Sequence, residues 1–166
     1  MTHRGIHVPG TQVGTGSNVL QTTAGGMVTQ AVFGTRCSIM LATREAGYHS
    51  RPHRHKSEQV NYVVDGEVWA FVDDVVFLAK KGDFFRIPAN AVHWAWNRSD
   101  EPVSTFQAFS PVLDPYASRK NSTSLLREHE EGDLTEYHET EHIDDEKPYL
   151  EFEERWLAEL ENGTRG

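Results

Sequence analysis

Between residues 36 and 109, short apolar stretches alternate with polar turns. Val, Ile, Phe, Tyr and Trp concentrate in the stretches, and turn formers such as Asp65-Gly66 separate them. Runs of this length and composition are typical of β-strands. We predict seven strands, at residues 36–44, 58–65, 67–73, 75–78, 83–87, 91–97 and 103–109. Because almost no helical period precedes residue 120, the pattern predicts an all-β sandwich or barrel.

Segments of different character flank this strand-rich region. The composition of residues 1–34, rich in Gly, Thr and Gln, predicts an N-terminal arm or short edge strands. The strand pattern predicts that the barrel comprises residues 35–110. Residues 111–166 form an extension that ends in a helix at about 149–162. Four large apolar residues share one face of that helix: Phe152, Trp156, Leu157 and Leu160. The helix either caps the barrel or serves as a dimerisation or lid element.

Charge is unevenly distributed over the 166 residues, whose net charge is −9. Residues 1–110 contain 10 basic and 9 acidic residues, whereas residues 111–166 contain 6 and 16. No basic face outweighs this acidic excess, so we predict no nucleic-acid partner. The chain has one cysteine, Cys37, which excludes an internal disulfide framework and a cysteine-rich metal cluster. With no apolar run of about 18 residues and no signal-like N-terminus, we predict a cytoplasmic protein without membrane association.

Three histidines combine into a candidate metal site. His53 and His55 are two residues apart, and side chains at that spacing in a strand project from the same face. Two neighbouring imidazoles can chelate one ion, and His93 lies near the start of another predicted strand. A pair at this spacing with a third histidine nearby is better explained as a metal site than as separate structural residues.

The residues around these histidines resemble the two motifs of the cupin family. The first motif, G, five residues, H-x-H, three or four residues, E, six residues and G, reads GYHSRPHRHKSEQVNYVVDG over residues 47–66. The second, G, five residues, P-x-G, two residues, H, three residues and N, reads GDFFRIPANAVHWAWN over residues 82–97. The resemblance implies a small antiparallel jelly-roll barrel, also called a double-stranded β-helix. It also implies one divalent transition metal ion inside the barrel, of the group Fe, Mn, Ni, Co or Zn.

The chain departs from these motifs at two positions. Asn90 replaces a glycine, and asparagine is the next best residue for a left-handed turn. Gln59 occupies the position of the family's glutamate ligand, while a glutamate, Glu58, lies one residue earlier. Adjacent strand residues face opposite sides, so only one of the two can enter the barrel, and the spacing selects Gln59 unless a bulge intervenes. The predicted metal ligands are therefore His53, His55, Gln59 and His93.

The same alternation predicts which neighbouring side chains face the barrel interior. Starting from Gln59 and His93, the inward set is Asn61, Val63, Ala95 and Asn97. The outward set is Val60, Tyr62, Val64, Trp94 and Trp96. We expect Tyr62 and the two tryptophans to form an apolar surface that a partner subunit or the C-terminal helix covers, and we expect a homodimer.

Further polar residues are candidates for substrate contact. Arg44, Arg51, Arg54 and Arg86 flank the motifs, and any of them is either ordinary surface arginine or a partner for a substrate carboxylate. We name Arg86 and Asn61 as candidate catalytic residues, beside the three histidines acting through the metal. Gln107 faces either inward or outward. His49 is either a solvent-facing loop residue or a proton shuttle.

The predicted donor set is uncharged, and this bears on function. A divalent ion among neutral ligands keeps its full charge, acts as a strong Lewis acid and attracts an anionic or enediol-like oxygen. We therefore predict a metal-dependent enzyme whose substrate, bound in the barrel, is a small oxygenated organic molecule that is anionic or enolisable. Dioxygenase chemistry is slightly favoured, and a non-redox Lewis-acid isomerase, lyase or cyclase is the rival. A non-catalytic small-molecule-binding protein is the third alternative.

Overall fold

The computed structural model describes residues 7–17, 26–114, 122–126, 130 and 137–163. Other parts of the predicted N-terminal arm and acidic extension lie outside the described residues. The described residues contain a short 3-10 helix, Gly10–Gln12, and one α-helix, α1, Lys147–Glu161. Within these ranges no helix combines the length and the apolar composition that a membrane crossing requires.

The strands are short and follow one another closely, as the turn residues predict. They are β1 (Thr15–Ser17), β2 (Met27–Phe33), β3 (Ser38–Arg44), β4 (His53–Arg54), β5 (Glu58–Asp65), β6 (Glu67–Val72), β7 (Val75–Lys80), β8 (Phe84–Ile87), β9 (His93–Trp96), β10 (Val103–Ser110), β11 (Val112–Asp114), β12 (Ser122–Ser124), β13 (Tyr137–Glu139) and β14 (Glu141–His142). Each of the seven predicted strands corresponds to one of the observed strands β3 and β5 to β10.

Two antiparallel sheets build the barrel. The larger has the strand order β1-β2-β3-β10-β5-β8, with β12 paired in parallel to β2, and the smaller has the order β14-β4-β9-β6-β7. Alternate side chains of both sheets are buried, as in Val63 of β5 and Ala70 of β6. This arrangement confirms the predicted all-β barrel with a C-terminal helix, and it leaves the core between the two sheets.

Strand β2 extends the large sheet beyond the predicted barrel. It pairs with β3 along its whole length, from Met27 opposite Arg44 to Phe33 opposite Ser38. The sequence prediction of an arm or short edge strands missed this seven-residue strand. Its pattern is partly inverted, because polar Thr29 is 1% exposed while Val28 is 52% exposed. A strand with polar residues inside and apolar residues outside is hard to recognise from periodicity.

Helix α1 covers the outer face of the small sheet. The Trp94 ring stacks on Phe71 with centroids 4.8 Å apart, and Trp156 of the helix meets Trp69 at 4.7 Å. Trp94 points away from the barrel interior, as predicted, and is buried because the helix lies over it. The helix therefore caps the barrel, which is the first of the two predicted alternatives.

One predicted surface is wrong. Tyr62 lies on β5 of the large sheet, whereas Trp94 and Trp96 lie on β9 of the small sheet, so they do not form one apolar patch. Tyr62 instead contacts Phe84 of β8, with ring centroids 4.7 Å apart. The outer face of the large sheet carries the exposed apolar residues Val28, Leu41, Val60, Val64 and Phe84.

Candidate metal centre

The two sheets enclose a cavity of about 70 Å³. On this scale one water molecule needs about 10–15 Å³, so the cavity has room for a metal ion and a small molecule. Its walls are largely apolar, and its polar lining residues come from both sheets and from the loops between strands. They are Arg44, Tyr48, Ser50, His53, His55, Gln59, Asn61, His93, Thr105, Gln107 and Thr140.

Strand pairing brings the three predicted histidines together. His53 on β4 and His93 on β9 are direct cross-strand partners, and their ring centroids are 4.2 Å apart. The His55 ring lies 4.8 Å from His93 and 6.4 Å from His53. His55 and His93 are buried, with 2% and 5% exposure. The site therefore depends on β4 lying beside β9 in the small sheet.

Backbone carbonyls orient all three rings in the same way. Nδ1 of His53 lies 2.7 Å from the Arg51 oxygen, Nδ1 of His55 lies 2.8 Å from the Ser57 oxygen, and Nδ1 of His93 lies 3.0 Å from the Ala91 oxygen. A neutral imidazole has one N–H, and these carbonyls require it at Nδ1. The Nε2 lone pair of each ring is then available as a ligand, the arrangement found in most histidine metal sites.

Burial keeps these imidazoles uncharged. It lowers the pKa of His53 to about 4 and also lowers the pKa of His55. The pKa of His93 is lowered well below its usual value by burial and by the neighbouring His53 and His55. Desolvation disfavours the charged form of histidine, so at neutral pH the three Nε2 atoms carry lone pairs rather than protons.

The fourth predicted ligand, Gln59, also faces the cavity. It is 6% exposed, and its Oε1 lies 3.1 Å from His55 Nε2. Glu58 projects from the other face of β5 and forms an exposed ion pair with Arg86. Strand alternation without a bulge at this point thus brings Gln59, not Glu58, to the histidines.

The donor set tests whether these residues fit a metal ion. Three neutral imidazoles, each with Nδ1 on a backbone carbonyl, line the same cavity as the Gln59 side chain. The Gln59 amide lies 3.1 Å from His55 Nε2 and 2.6 Å from the Asn61 amide. Imidazole nitrogens and an amide oxygen are suitable ligands for a divalent transition ion, so the donor set fits a metal ion.

The rings are close to a coordination arrangement without forming one. Metal–nitrogen bonds of about 2.0–2.1 Å place two neighbouring imidazoles of one shell roughly 4.5–5.5 Å apart, centre to centre. Two of the three spacings are near this range, and the spacing of 6.4 Å between His53 and His55 exceeds it. In the described ranges, no group of three His, Cys, Asp or Glu side chains is placed to hold a metal ion. A tetrahedral ion bound to all three histidines would therefore bring the His53 and His55 rings closer together.

The two candidate catalytic residues have different positions. Asn61 is 1% exposed and lines the cavity, and its buried Nδ2 has no hydrogen-bond partner among the described residues. Arg86 lies on the outer face of β8, paired with Glu58, and does not line the cavity. Its neighbour Ile87 faces inward, so alternation directs Arg86 outward, and this position contradicts the predicted role of Arg86.

The sequence analysis did not decide the positions of two polar residues, Arg44 and Gln107, and both line the cavity. Arg44 ends β3, whose alternate residues Met40 and Ala42 are buried, and it lines the cavity in the same alternation. Gln107 faces inward with 3% exposure and donates to Thr105 Oγ1 at 3.0 Å. The alternation of buried residues along β3 could have predicted that Arg44 faces the cavity. No comparable signal existed for Gln107, whose strand contains both polar and apolar residues on each face.

Two residues predicted near the site have other structural positions. Asn97 is fully buried, as predicted, but its Nδ2 donates to the carbonyls of Arg44, Glu45 and Glu101 rather than lining the cavity. His49 is buried, not solvent-facing, and its Nε2 donates to Glu153 of helix α1 at 2.9 Å. Asn97 therefore holds loops together, and His49 ties the helix to the barrel.

Left-handed backbone conformations explain the motif positions at the turns. Asn90 has a φ of 65°, so it adopts the conformation for which glycine is usual. Gly66 has a φ of 79°, and a Cβ there would lie 2.8 Å from the Pro102 carbonyl oxygen. The turns that flank β5 and β9 thus require these residue types.

Comparison with known proteins agrees with the observed fold. Residues 40–109 match the family model described as a cupin domain. An RmlC-like cupin from Shewanella frigidimarina NCIMB 400 is 27% identical, with a TM-score of 0.53, and the match covers 63% of this chain and 88% of that one.

Two further solved structures are similar at lower identity. A sugar phosphate isomerase from a cupin superfamily, from Silicibacter pomeroyi DSS-3, is 18% identical over 63% of this chain and 74% of that one, with a TM-score of 0.52. AerE from Microcystis aeruginosa is 18% identical over 58% of this chain and 45% of that one, with a TM-score of 0.50. At this identity the similarity shows the fold alone. No curated protein sequence matches the chain significantly.

Proposed function

This chain is a member of the cupin superfamily through its domain at residues 40–109, and from that premise we propose that it is a metal-dependent enzyme acting on a small oxygenated organic molecule. The ion would be held by His53, His55, Gln59 and His93, all of which line the cavity. When bound, a divalent transition metal supplies Lewis acidity and, for redox-active ions, electron transfer to or from oxygen or substrate.

The shared orientation of the three imidazoles carries the proposal. His53, His55 and His93 line one cavity, and each holds its Nδ1 against a backbone carbonyl oxygen. The carbonyl accepts the Nδ1 proton, so each neutral ring keeps a lone pair on Nε2. Three such rings beside the Gln59 side chain supply the kind and number of donors that a divalent transition ion needs.

The cavity residues around the donors fit recognition of a polar substrate. Asn61 Nδ2 offers a buried N–H without a partner among the described residues, and a substrate oxygen would accept it. Apolar side chains such as Phe85, Ile87 and Phe109 form the walls and limit the access of water. Low water content strengthens the electrostatic interactions between the chain and a bound substrate.

Dioxygenase chemistry is the first candidate reaction, by the family resemblance of a three-histidine site. A specific observation favours the second candidate, a Lewis-acid isomerase, lyase or cyclase. No aspartate or glutamate occurs among the described residues that line the cavity, so nothing there reduces the positive charge of the ion.

Oxygen removal distinguishes the two reactions. Protein loaded separately with Fe, Mn, Ni, Co and Zn is incubated with a panel of small hydroxy acids and hydroxy ketones, with and without oxygen, and consumption is followed by NMR. The proposal predicts turnover that requires metal and that the His93→Ala variant lacks. Loss of turnover under nitrogen indicates a dioxygenase, and continued turnover indicates Lewis-acid chemistry. Equal turnover by metal-free protein would contradict the proposal.

A further inference from the structure

A fourth histidine, His142, continues the row of cavity histidines across the small sheet. Its strand, β14, lies at the edge of that sheet and pairs with β4, which in turn pairs with β9. His142 is the direct cross-strand partner of His53, and His53 is the partner of His93. Directly opposite residues of antiparallel strands project from the same face, with Cβ atoms about 4.5–5.5 Å apart. The three histidines therefore form one row, which runs from the edge of the sheet to its interior.

The neighbours of His142 agree on the face from which it projects. Glu141 Oε2 accepts a hydrogen bond from Arg54 Nε at 3.0 Å. Arg54 alternates with the cavity residue His53, so this ion pair lies on the outer face of the sheet and His142 projects from the inner face. Thr140, two residues before His142, lines the cavity, as the same alternation requires.

Exposure to solvent rises along the row. His93 is 5% exposed, His53 is half-buried, and His142 is exposed. Nδ1 of His53 contacts the Arg51 carbonyl oxygen, so its Nε2 is available to an ion. An ion that enters along this row meets His142 first and His53 next, before it reaches the fully buried ligands.

The chain around His142 is strongly acidic. Residues 139–146 contain five acidic residues and neither lysine nor arginine. Four of the five are exposed: Glu139, Glu141, Asp144 and Asp145. Negative charge of this kind raises the local concentration of cations at the surface. The segment thus favours the approach of a divalent cation to the exposed end of the row.

We propose that His142 and His53 form a transfer site, which takes up a divalent transition metal ion from solvent and passes it to the buried ligands. This inference rests on the proposed function, because it assumes a metal ion held by His53, His55, Gln59 and His93. Two imidazoles bind such an ion while water completes its coordination. His53 belongs to both sites, so the ion changes its other ligands without leaving the chain. A buried metal site needs an entry path, and the row of histidines supplies it.

The rates of metal uptake and release test the proposal. Metal-free protein is mixed with Co²⁺, whose visible absorption reports its coordination, and release is measured in an excess of EDTA. His142→Ala should slow uptake about tenfold, because an ion captured at the edge is held at a raised local concentration beside the buried ligands. The variant should slow release by the same factor and leave the equilibrium affinity unchanged, since His142 does not bind the ion in its final position.

Two further variants of β14 serve as controls. His142→Asp keeps a metal ligand at the edge of the row and should restore most of the uptake rate. Glu141→Ala removes the ion pair with Arg54 on the opposite face of the same strand and should leave the uptake rate unchanged. Slow uptake in Glu141→Ala as well would mean that the integrity of β14, and not the imidazole of His142, sets the rate.

Uptake by His142→Ala at the wild-type rate would overturn the transfer site. Unchanged uptake with faster release would also overturn it, because His142 would then be a ligand of the ion in its final position. A wild type that takes up no Co²⁺ would contradict both the proposed function and the transfer site. Equal turnover by metal-free protein would contradict the proposed function alone, since it does not affect the uptake rates.

Discussion

The four candidate ligands contribute no negative charge to the site. His53, His55 and His93 are neutral through burial, and Gln59 is an amide. A bound ion would therefore keep its whole charge for a substrate, unlike an ion with a carboxylate ligand. Replacing Gln59 by glutamate would change the charge of the site while keeping the size and shape of the side chain.

Replacing the amide by a carboxylate tests this point. Gln59→Glu should retain the metal and bind it at least about tenfold more tightly, because a unit charge at about 4 Å contributes on the order of 4 kcal/mol at an effective dielectric constant of 20. Its turnover should differ from that of the wild type. Metal affinity is measured by competition with a chelator.

Glu58→Ala is the matched control for Gln59→Glu. Glu58 is exposed and paired with Arg86 on the outer face, so its loss should leave metal content and affinity unchanged. If Glu58→Ala alone empties the site, the assignment of Gln59 as the ligand is wrong.

The lowered histidine pKa values predict how the metal-free protein responds to acid. In the unfolded chain these residues take up protons near pH 6.5, whereas folded His53 does so only near pH 4. Between these values the unfolded state binds more protons, so the free energy of unfolding should fall as pH decreases from about 6.5 to about 4. Urea unfolding in the presence of a chelator, at several pH values, measures it.

The upper part of this pH range is the most informative, because ordinary carboxylates also titrate below about pH 5. A His53→Asn variant has one buried imidazole fewer and should lose less stability between pH 6.5 and 5. A free energy of unfolding that stays constant over this range would show that the histidines are not protected from protonation.

At the scale of the element, the alternation of inward and outward side chains along each strand explains which predictions agree with the structure. On β5, Asn61 and Val63 face inward and Val60 and Val64 face outward, as the alternation from Gln59 predicts. The predicted role of Arg86 was wrong because the alternation of inward and outward residues was not applied to β8. On that strand Ile87 is the buried residue, so Arg86 faces outward. The pairing of β4 with β9 also had no local signal, since it depends on contacts between distant segments.

Helix α1 depends on a buried polar network as well as on apolar packing. The Glu153 carboxylate is 7% exposed and accepts hydrogen bonds from His49 Nε2 and the Trp94 indole N–H. Glu153→Ala would leave both buried donors without this acceptor, at a cost of about 1–3 kcal/mol. We expect that loss in urea unfolding monitored by tryptophan fluorescence.

The exposed Glu154 provides the control for Glu153. Glu154→Ala should change the free energy of unfolding by less than about 0.5 kcal/mol, as is usual for surface positions. Equal effects of the two substitutions would mean that the network does not hold the helix.

At the scale of the whole molecule, the acidic extension is part of the barrel where the structure describes it. Strand β12 pairs with β2, β14 pairs with β4, and Thr140 lines the cavity. The sequence predicted the terminal helix but not these pairings, because strands of two or three polar residues lack a recognisable period. The extension thus contributes a residue to the lining of the site.

The homodimer stays a prediction, but its expected surface changes. Helix α1 covers Trp94, whereas the outer face of the large sheet carries Leu41, Phe106, Tyr62 and Phe84 in one row of cross-strand neighbours. Phe84 is 73% exposed. An exposed apolar face of this kind can pack against the same face of a second copy about a two-fold axis.

Light scattering after size-exclusion chromatography measures the mass of the assembly. We expect twice the 18.8 kDa of the chain for the wild type and a shift towards the monomer for Phe84→Ser. Val75→Ser is the control, because Val75 is exposed on β7 of the other sheet. A wild-type monomer at 100 μM would contradict the expected dimer. The cytoplasmic location and the lack of a nucleic-acid partner also stay predictions.

Metal content tests the central claim most directly. Protein purified without added metal or chelator is analysed by inductively coupled plasma mass spectrometry, beside a His93→Ala variant whose fold is checked by circular dichroism. We predict close to one equivalent of a transition metal in the wild type and less than about a tenth of that in the folded variant, since loss of one ligand weakens the site strongly. A wild type that contains no metal and takes up none of Fe, Mn, Ni, Co or Zn would contradict the claim.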